Sequence, residues 1–338
     1  MKNNLYQRLT RSSYLSGLLV VVLFVSFLLT AYAYRYIHQK NAGFHVGTNP
    51  LVVERGQDFD QVLVNLHQLS SISHPNILRF YARFRGISHS IHAGEYVFDQ
   101  ADSWYMVLGK LTSGATYQRK FTIVEGWNIY QLLEALHADP HIQHTIDYDV
   151  DPLIASLPSM QSHPEGAYLP DTYYYSYPAT DKELLTRARD AMQKYLAALQ
   201  QGHQCTDQTK SGYDILVLAS LLEKEASNID EMAVIAGVIN NRLTQRMPLG
   251  IDAAVRYGVK NFSQPLLQSQ LQTSTPYNTY KLKGLPPTPI SNPSSAALLA
   301  ACNPVKTDYL YYVSMDGKRH YFSKTLKEHH QAVHKYLR

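Results

Sequence analysis

The order of apolar and polar positions predicts two helices that are apolar on almost every side. The first lies between Leu15 and Ala33, a stretch without a charged residue; about 20 such residues are enough to span a bilayer. The second lies between Ile215 and Leu222, where nearly every position is apolar, and a helix of this kind is buried. We therefore expect one helix in a membrane and one at the centre of a domain.

Between these helices, a strand, a glycine turn and an amphipathic helix occur twice. Leu51–Val53 is followed by Gly56 and by apolar positions at helical spacing, and Phe121–Val124 is followed by Gly126 and a similar series. Aligning the two glycines matches the apolar positions Phe59, Val62 and Leu66 with Ile129, Leu132 and Leu136. This weak internal duplication resembles LysM-like glycan-binding modules. The alternative is a spacer that holds the rest of the chain away from the membrane.

The second half of the chain predicts mainly helices and one hairpin. Ser211 with Asp214, and Asn228 with Glu231, have the spacing of capping residues at helix N-termini. Further elements are a helix at Leu184–Leu199, a helix at Ser294–Cys302, a hairpin within Tyr309–Phe322 and a helix that runs towards Leu337. Together with the short strands, these elements predict an α+β chain.

Charge and composition limit the partners and the compartment. The chain of 338 residues has a formal net charge of +4 with histidine neutral, which is too slight and too dispersed for a nucleic-acid-binding protein. Basic residues flank the apolar stretch on both sides, and their weak bias favours an N-terminus in the cytoplasm. A cleaved signal peptide is the alternative, because Ala31-Tyr32-Ala33 resembles a cleavage site. We favour an uncleaved anchor, since the stretch is longer than a usual signal sequence; in both cases the rest of the chain is exported.

Cysteine and histidine do not indicate a metal site. Cys205 and Cys302 could pair in an oxidising compartment, but their spacing does not establish a disulfide, and Cys302 is more simply interpreted as a small buried residue. His330 and His334 have the i, i+4 spacing of a metal pair. No zinc-protease motif accompanies them, so surface histidines are the better interpretation. No phosphate loop, dinucleotide fingerprint or serine-hydrolase elbow occurs, and we expect neither a metal nor a cofactor.

The buried helix ends in Glu223-Lys224-Glu225, which places carboxylates where an apolar helix emerges. Burial and the negative end of the helix dipole both disfavour an ionised carboxylate, so a high pKa is expected for Glu225. A carboxyl that stays protonated near neutral pH is a general acid. Glu223 lies about 160° from Glu225 around the helix, so the two cannot form a dyad. The structural alternative is a solvated helix end or an ion pair with Lys224 or Arg242.

Other residues could complete a carbohydrate site. A glycosidase that works through two carboxylates would need a second one from elsewhere, and Asp252 is the nearest suitable residue in sequence. The segment from Glu165 to Tyr175 contains three consecutive tyrosines, and Tyr277 to Tyr280 is a further polar, aromatic segment. Tyrosine rings stack on sugars, but they also pack in cores, so this pattern favours glycan contact only slightly.

Several motifs, in one order over almost the whole chain, resemble those of the MltG (YceG-like) endolytic murein transglycosylases. They are Leu218–Ala226 with its Glu-Lys-Glu, Val238–Leu243, Asp252–Gly258, Thr275–Tyr280, Gly284–Pro287, Glu165–Tyr173 and the turns at Gly94-x-Tyr96 and Glu125-Gly126. The chain departs from the family at Ile251 and Ala253, where many members carry Ser or Thr and Pro, and at Thr288, which replaces a Gly. These departures leave the glutamates unchanged and fall in the loops next to the predicted site residues.

The resemblance implies an α+β protein of the bacterial inner membrane that faces the periplasm. It would have an N-terminal transmembrane helix, a small LysM-like α/β domain and a lysozyme-like, mainly helical catalytic domain with a small β-hairpin region. The expected domains are residues 1–14 in the cytoplasm, 15–36 in the membrane, 37–120 as the LysM-like domain and 121–338 as the catalytic domain. The implied partners are peptidoglycan glycan strands, the inner membrane and peptidoglycan synthases (penicillin-binding proteins), but no nucleic acid.

The resemblance also implies the chemistry. The family cleaves the β-1,4 bond between N-acetylmuramic acid and N-acetylglucosamine within glycan strands, and its essential glutamate corresponds to Glu225. One carboxyl would protonate the glycosidic oxygen and then deprotonate the muramic acid C6 hydroxyl, which closes a 1,6-anhydro ring without water. Acting on nascent strands, it would terminate their elongation. Substrate-binding or supporting roles are expected for Glu165, Asp171, Tyr173, Asn241, Asp252, Tyr257, Tyr277, Asn278 and Tyr280.

Two other functions stay open at this point. A hydrolytic muramidase would need Asp252 or another carboxylate to activate water, and its products would incorporate oxygen from labelled water. A non-catalytic peptidoglycan-binding scaffold for synthesis enzymes predicts that the variant Glu225→Gln retains full biological activity.

Overall fold

The structure, a computed structural model, describes residues 2–44, 50–70, 72–146, 163–202, 205–206, 210–226, 228–262 and 264–337, and of residues 2–15 it describes the backbone. The chain divides into two compact units. Unit 1 comprises Met1–Arg119 with Ser176–Pro178, and unit 2 comprises Lys120–Tyr175 with Ala179–Arg338. Helices and short two-stranded sheets build both units, which agrees with the predicted α+β class.

Unit 1 begins with α1 (Lys2–His38), one uninterrupted helix. Its part from Ser16 to His38 has 23 residues, and the most apolar window of 18 residues within it has a mean hydropathy of 2.3. It is therefore long and apolar enough to cross a membrane, a property that signal sequences near an N-terminus share. The apolar side chains in the middle of this segment are exposed, whereas Ile37 in the last turn is 3% exposed and packs into the core of unit 1. The apolar helix therefore continues directly into the first folded unit.

The rest of unit 1 is a two-stranded sheet packed against helices. β1 (Leu51–Val53) pairs antiparallel with β2 (Gly94–Tyr96), and Leu51 lies opposite Tyr96. The helices are α2 (Phe59–Leu69), α3 (Pro75–Phe84) and α4 (Trp104–Ser113), with a 3₁₀ turn at Ile87–His89. Their apolar faces and the end of α1 form one core, because each helix repeats its apolar residues at the helical period.

The repeated strand–turn–helix pattern is present, but its copies lie in different units. β1 and α2 belong to unit 1, whereas β3 (Arg119–Thr122) leads to α5 (Ile129–Ala138) in unit 2. Both turns contain a glycine with positive φ, 86° at Gly56 and 75° at Gly126, and both helices begin with a capping box. β3 pairs with β5 (Thr172–Tyr175), so the second copy takes its strand partner from unit 2.

Unit 2 consists mainly of helices around α7 (Gly212–Glu225). Before α7, β4 (Ile142–Gln143) pairs in parallel with β6 (Ala179–Thr180), and α6 (Asp181–Gln201) follows directly. After it come α8 (Ile229–Thr244), α9 (Asp252–Gly258), α10 (Gln268–Leu271), α11 (Ser295–Cys302), β7 (Tyr311–Ser314), β8 (His320–Ser323) and α12 (Leu326–Tyr336). β7 and β8 form the predicted antiparallel hairpin.

The helix α7 has the buried position that its sequence predicts. Ser211 and Asp214 form the capping box, and every residue from Ile215 to Leu222 is buried. The core around α7 includes residues of the four neighbouring helices α6, α8, α9 and α11, among them Met192, Ile235, Ala254 and Leu298. Full burial of a large apolar side chain stabilises by about 1.5–3 kcal/mol, so this core holds the C-terminal end of α7 firmly in place.

Cys205 and Cys302 form a disulfide bond that links positions separated by 97 residues, with their Cα atoms 4.6 Å apart. The simpler interpretation of Cys302 as an unpaired apolar residue is therefore wrong about its pairing, although its side chain is 1% exposed. Sequence spacing did not decide the question because the two residues are brought together by the packing of α11 in the core of unit 2.

Candidate active site

Glu225 lies in the last turn of α7, where the buried helix reaches a cleft of unit 2. It accepts a hydrogen bond from the Tyr312 hydroxyl, with 2.9 Å between the two oxygens. Burial raises the pKa of Glu225; the Tyr312 hydrogen bond opposes this rise, and the negative charge of Asp252 adds to it. The charges of His320 and Arg242 lower the pKa. The net direction is upward, which favours the protonated carboxyl that a general acid requires.

Tyr312 comes from β7, and the motifs did not identify it. Burial, followed by the charge of Glu225, raises the pKa of the Tyr312 hydroxyl well above its ordinary value, so the hydroxyl keeps its proton and remains a donor. The ring of His320 meets the Tyr312 ring edge-on at 5.5 Å, and Nδ1 of His320 lies 2.8 Å from a carboxylate oxygen of Glu231. The predicted hairpin is rich in Tyr and His, but this pattern does not say which ring faces Glu225.

Two polar residues near the end of α8 hold this hairpin in place. Asn241 donates from Nδ2 to the carbonyl oxygens of Thr307 and Tyr309, at 2.7 and 2.9 Å. Arg242 donates from Nε to the carbonyl oxygen of Leu310 at 2.6 Å. Asn241, a predicted site residue, therefore occupies a supporting position, and the Arg242 guanidinium is engaged with the backbone that precedes β7.

The other charged residues at the end of α7 make structural contacts. Glu223 accepts hydrogen bonds from the backbone N–H and the hydroxyl of Ser294, at 2.9 and 2.6 Å, and so holds the N-cap of α11. Lys224 donates to the carbonyl oxygen of Gly126 at 3.2 Å. The two glutamates thus have different partners, as helical geometry predicts, and Lys224 is turned towards Gly126 rather than engaged in an ion pair with Glu225.

Asp252 is the first residue of α9 and lines the same cleft as Glu225. One of its carboxylate oxygens accepts a hydrogen bond from the Tyr280 hydroxyl at 2.6 Å. Burial, together with Asp252, raises the pKa of Tyr280. The backbone N–H of Ile251 donates to the Thr279 hydroxyl at 2.8 Å. The loop that contains Tyr280 therefore positions Asp252, whose negative charge in turn favours the protonated form of Glu225.

Glu165 is a second glutamate of unit 2 with a raised pKa. Its side chain is 1% exposed, and both of its oxygens lie 3.1 Å from the backbone N–H donor of Ile129. The Gly166 N–H and the Tyr257 hydroxyl also donate to it. Burial raises the pKa of Glu165 to about 7, although these donors and the charge of Lys224 lower it. Glu165 reaches the cleft only through Tyr257, which lines it.

Of the remaining candidates, Tyr257 lines the cleft, whereas Tyr277 and Asn278 lie outside its lining. Tyr257 is 8% exposed, and its ring lies 5.0 Å from that of Tyr277. The Tyr277 hydroxyl lies 2.8 Å from the hydroxyl of Thr288, one of the departures from the family pattern. Asn278 is fully buried and donates to the carbonyl oxygen of Thr273 at 2.7 Å. Asn278 therefore stabilises the chain segment between Thr273 and itself, and a substrate does not reach its buried side chain directly.

The candidates from the aromatic loop lie outside the residues that line the cleft. Tyr173 is 8% exposed, packs in a core of unit 2 and donates to the carbonyl oxygen of Leu169 at 2.7 Å. Asp171 is exposed and accepts a hydrogen bond from the Thr172 N–H at 2.6 Å. Successive residues of a strand point to opposite sides, so Tyr173 and Tyr175 of β5 face the core. These positions do not support a platform of stacked tyrosines for sugars.

Glu225 and Asp252 open onto one cleft with a volume of about 320 Å³. Its lining consists of Gly126, Asn128, Gln131, Lys224, Glu225, Asp252, Ala253, Arg256, Tyr257, Phe262 and Ile290. The buried Nε of Arg256 has no hydrogen-bond partner within the described part of the chain. The described residues contain no group of three His, Cys, Asp or Glu side chains arranged for a metal ion. The side chains present are suited to acid–base chemistry on a polar ligand.

Together, the fold and the cleft are those of an acid–base enzyme that follows an apolar N-terminal helix. The sequence profile of the YceG-like family matches residues 51–335, and the chain belongs to this family. The family recognised from the motifs is therefore confirmed.

The relatives agree with this assignment. The chain is 29% identical over 308 residues to the endolytic murein transglycosylase of Bacillus subtilis, an alignment that covers 84% of each protein. It is 26% identical over 317 residues to the endolytic murein transglycosylase of Streptococcus pneumoniae strain D39, covering 83% of this chain and 57% of that one. A crystal structure of a YceG-like protein from Listeria monocytogenes matches with a TM-score of 0.54 and 28% identity, over 83% of this chain and 98% of that one.

Proposed function

We propose that this protein is an endolytic lytic transglycosylase, which cleaves the bond between N-acetylmuramic acid and N-acetylglucosamine within peptidoglycan strands. The observation that carries the proposal is Glu225, one carboxyl whose pKa burial raises, hydrogen-bonded to Tyr312 and open to a cleft. The names of the relatives from B. subtilis and S. pneumoniae support the same reaction and substrate.

In the first step Glu225 donates its proton to the glycosidic oxygen. The bond between that oxygen and C1 breaks, the proton leaves on the new N-acetylglucosamine hydroxyl, and positive charge develops on the muramic acid ring. Glu225 is then negatively charged. Tyr312 stabilises this charge, because its hydroxyl already donates to Oε2 and hydrogen bonds to a carboxylate are strong. Oε1 remains for the substrate.

In the second step the Glu225 carboxylate removes the proton from the C6 hydroxyl of the same muramic acid. The oxygen of that hydroxyl bonds to C1 and closes a 1,6-anhydro ring, and Glu225 is protonated again. No water is consumed, so one carboxyl is enough. Asp252 assists the return of the proton, because its negative charge raises the pKa of Glu225.

We assign the other predicted site residues supporting roles. Tyr280 orients Asp252, Asn241 holds the hairpin that delivers Tyr312, and Glu165 orients Tyr257 in the cleft wall. Tyr277 and Asn278 stabilise that wall from behind. Asp171 and Tyr173 act on the fold of unit 2, since Tyr173 is buried and neither residue lines the cleft.

We also propose that α1 anchors the chain in the bacterial inner membrane, with unit 2 and the part of unit 1 that follows α1 in the periplasm. The length and hydropathy of Ser16–His38 support a span, and the disulfide between Cys205 and Cys302 suits an oxidising compartment. The mass of the mature protein tests the anchor, because a cleaved signal peptide would remove the apolar helix. The part of unit 1 that follows α1 then corresponds to the proposed LysM-like domain (37–120), and unit 2 to the proposed lysozyme-like catalytic domain (121–338).

The same proposal includes the place of action. A periplasmic enzyme held at the inner membrane would meet nascent strands beside the peptidoglycan synthases, the penicillin-binding proteins, and would terminate elongation by cutting those strands. The binding of purified glycan strands is compared between the wild-type protein and variants with substitutions in unit 1. Weaker binding by such variants would indicate a glycan-binding LysM-like unit, and unchanged binding would indicate a spacer.

The test of the reaction is digestion of purified peptidoglycan by the full-length protein in isotopically labelled water, followed by mass spectrometry of the products. We expect 1,6-anhydro-muramic acid ends without the label, formed about 10³-fold more slowly by Glu225→Gln. The matched control Glu223→Gln should give the wild-type products, because Glu223 contacts Ser294 rather than the cleft. Undiminished products from Glu225→Gln would contradict the proposal.

A hydrolytic muramidase is the second candidate, because Asp252 lines the same cleft as Glu225 and could activate a water molecule. Its products would carry reducing ends that contain the labelled oxygen, so the same experiment separates the two reactions.

A further inference from the structure

The helix α3 of unit 1 presents two phenylalanine rings to solvent. Phe80 is 74% exposed and Phe84 is 80% exposed, and their rings are nearly parallel with centroids 6.5 Å apart. Leu78 and Ala82 of the same helix are buried in the core of unit 1. Phe80 lies about 160° from Leu78 around the helix axis. The two rings therefore point away from the unit, and adjacent exposed apolar rings indicate an interaction surface.

Arginines border this pair of rings. Arg83 and Arg85 are exposed, and within the described part of the chain no carboxylate forms an ion pair with either of them. Arg79 is paired with Asp60 of α2, so the unpaired positive charge lies towards the C-terminal end of α3. Exposed aromatic rings next to basic residues on one amphipathic helix are typical of segments that lie in the interface of an anionic bilayer.

α3 begins beside the last turns of α1. The Tyr32 hydroxyl and Nε2 of His74, the residue before α3, are 2.8 Å apart, and the His74 N–H donates to the Tyr36 hydroxyl at 3.2 Å. Tyr32 and Tyr36 lie at the end of the apolar stretch, where aromatic residues mark the boundary between lipid and water. The first turn of α3 is therefore at the level at which α1 would leave the bilayer.

We propose that α3 is a second membrane contact of this protein. Phe80 and Phe84 enter the interface of the bilayer that α1 spans, and Arg83 and Arg85 bind its anionic phosphate headgroups. This inference rests on the proposed transmembrane helix and extends it, because contact through both α1 and α3 restricts the rotation of unit 1 about the span. The contacts between His74 and α1 and the positive charge beside the rings favour lipid over a protein partner.

The test uses the full chain reconstituted into vesicles of phosphatidylcholine and phosphatidylglycerol in equal amounts, with brominated acyl chains that quench tryptophan in the bilayer. Single variants place a new tryptophan on α3 (Phe84→Trp), in the span (Leu23→Trp) and at a control position (Tyr117→Trp). Tyr117 is a matched control, an aromatic residue of unit 1 that is 45% exposed. Once the signal of Trp104 and Trp127 in the wild-type protein is subtracted, we expect Phe84→Trp to be quenched about twofold more than Tyr117→Trp, and nearly as strongly as Leu23→Trp.

Charge reversal sharpens the test. Adding Arg83→Glu and Arg85→Glu to Phe84→Trp should lower the quenching in anionic vesicles to the level seen in phosphatidylcholine alone, and thermal unfolding should be unchanged because both arginines are exposed. Quenching of Leu23→Trp with none of Phe84→Trp would overturn the inference and leave the anchor intact. A blue-shifted but unquenched Phe84→Trp would also overturn it, because protein would then cover α3. An unquenched Leu23→Trp would refute the span, and the inference with it.

Discussion

Glu225 and Glu165 are both glutamates of unit 2 whose pKa burial raises, yet only Glu225 opens onto the cleft. Glu165 is 1% exposed and accepts from the backbone N–H groups of Ile129 and Gly166. Glu225 stands at a helix end and accepts a hydrogen bond from Tyr312. A high pKa is therefore not enough for a catalytic acid: the carboxyl must also reach a reactant.

The surroundings of the two carboxyls differ in a second way. Fixed backbone donors oppose the high pKa of Glu165, and a bound substrate does not change them. The pKa of Glu225 also depends on Asp252, His320 and Arg242, which are side chains near the cleft. A substrate that displaces water from this cleft strengthens those charge interactions, so Glu225 responds to binding more directly than Glu165, which meets the cleft through Tyr257 and Lys224. Four substitutions test this comparison.

The largest effect is expected from replacing the cleft glutamate. Glu225→Gln should lower the rate of glycan cleavage about 10³-fold, because an amide does not donate the proton that the leaving oxygen needs. The rate is measured from the release of anhydro-muramic acid products, with thermal unfolding as a check on the fold. Glu223→Gln should retain the rate within about twofold. If Glu225→Gln retained more than about one tenth of the wild-type rate, Glu225 would not be the essential acid.

Replacing the buried glutamate should affect stability instead. The pKa of Glu165 rises from 4.5 to about 7, so ionising it in the folded protein costs on the order of 3 kcal/mol. The folded state holds the proton more tightly than the unfolded state. The stability from this group is therefore complete below about pH 4.5 and is lost as the pH rises to about 7.

Glu165→Gln should accordingly flatten the decrease of the unfolding temperature over this pH range, while the cleavage rate at its optimum stays within about threefold of wild type. The unfolding temperature of both proteins is measured across the range. Equal slopes of the unfolding temperature against pH for the two proteins would show that Glu165 is ionised throughout this range. A loss of cleavage rate as large as that of Glu225→Gln would remove the distinction between the two carboxyls.

Removing the tyrosine donor should have a smaller effect on the rate. Tyr312→Phe should lower kcat about tenfold, because the charge left on Glu225 after the first proton transfer loses a strong hydrogen bond. The same hydrogen bond lowers the pKa of Glu225, so its removal should shift the alkaline limb of the pH–rate profile to higher pH. An unchanged profile would mean that Tyr312 only packs against the site.

The smallest effect is expected from neutralising the second carboxylate. The charge of Asp252 raises the pKa of Glu225, so Asp252→Asn should shift the alkaline limb to lower pH, opposite to Tyr312→Phe. The rate well below that limb should fall only about threefold or less. The measurement is the pH–rate profile of both variants. A loss of about 10³-fold, as for a catalytic base, would instead favour the hydrolytic mechanism.

Local patterns predicted much of this arrangement. The capping box at Ser211 and the apolar run after it place Glu225 at the end of a buried helix, and this requires no distant residue. The same reasoning separates Glu223 from Glu225, because helical geometry alone sets the angle between them. The buried helix end that carries both glutamates could therefore be inferred from fewer than twenty neighbouring residues, whereas the choice of Glu225 over Glu223 came from the family resemblance.

The contacts that complete the site could not be inferred in this way. Tyr312 reaches Glu225 from a hairpin 87 residues later in the chain, and its position depends on how Asn241 and Arg242 hold that hairpin. Tyr173 shows the opposite case, because it belongs to an aromatic pattern that suits a sugar platform, yet its ring packs in the core while that of Tyr174 is 59% exposed. Local periodicity distinguishes one face of a strand from the other, but it does not tell which face a neighbouring element covers.

The disulfide between Cys205 and Cys302 makes the assembly of unit 2 depend on an oxidising compartment. The loop that it closes contains Glu225, Arg242, Asp252 and Tyr280, whereas Tyr312 follows after it. Closing a loop of this length lowers the conformational entropy of the unfolded chain and so stabilises the folded state by up to about 4–5 kcal/mol. A chain in a reducing compartment lacks this gain, so the part of unit 2 that contains Glu225 reaches its full rigidity only where the two thiols are oxidised.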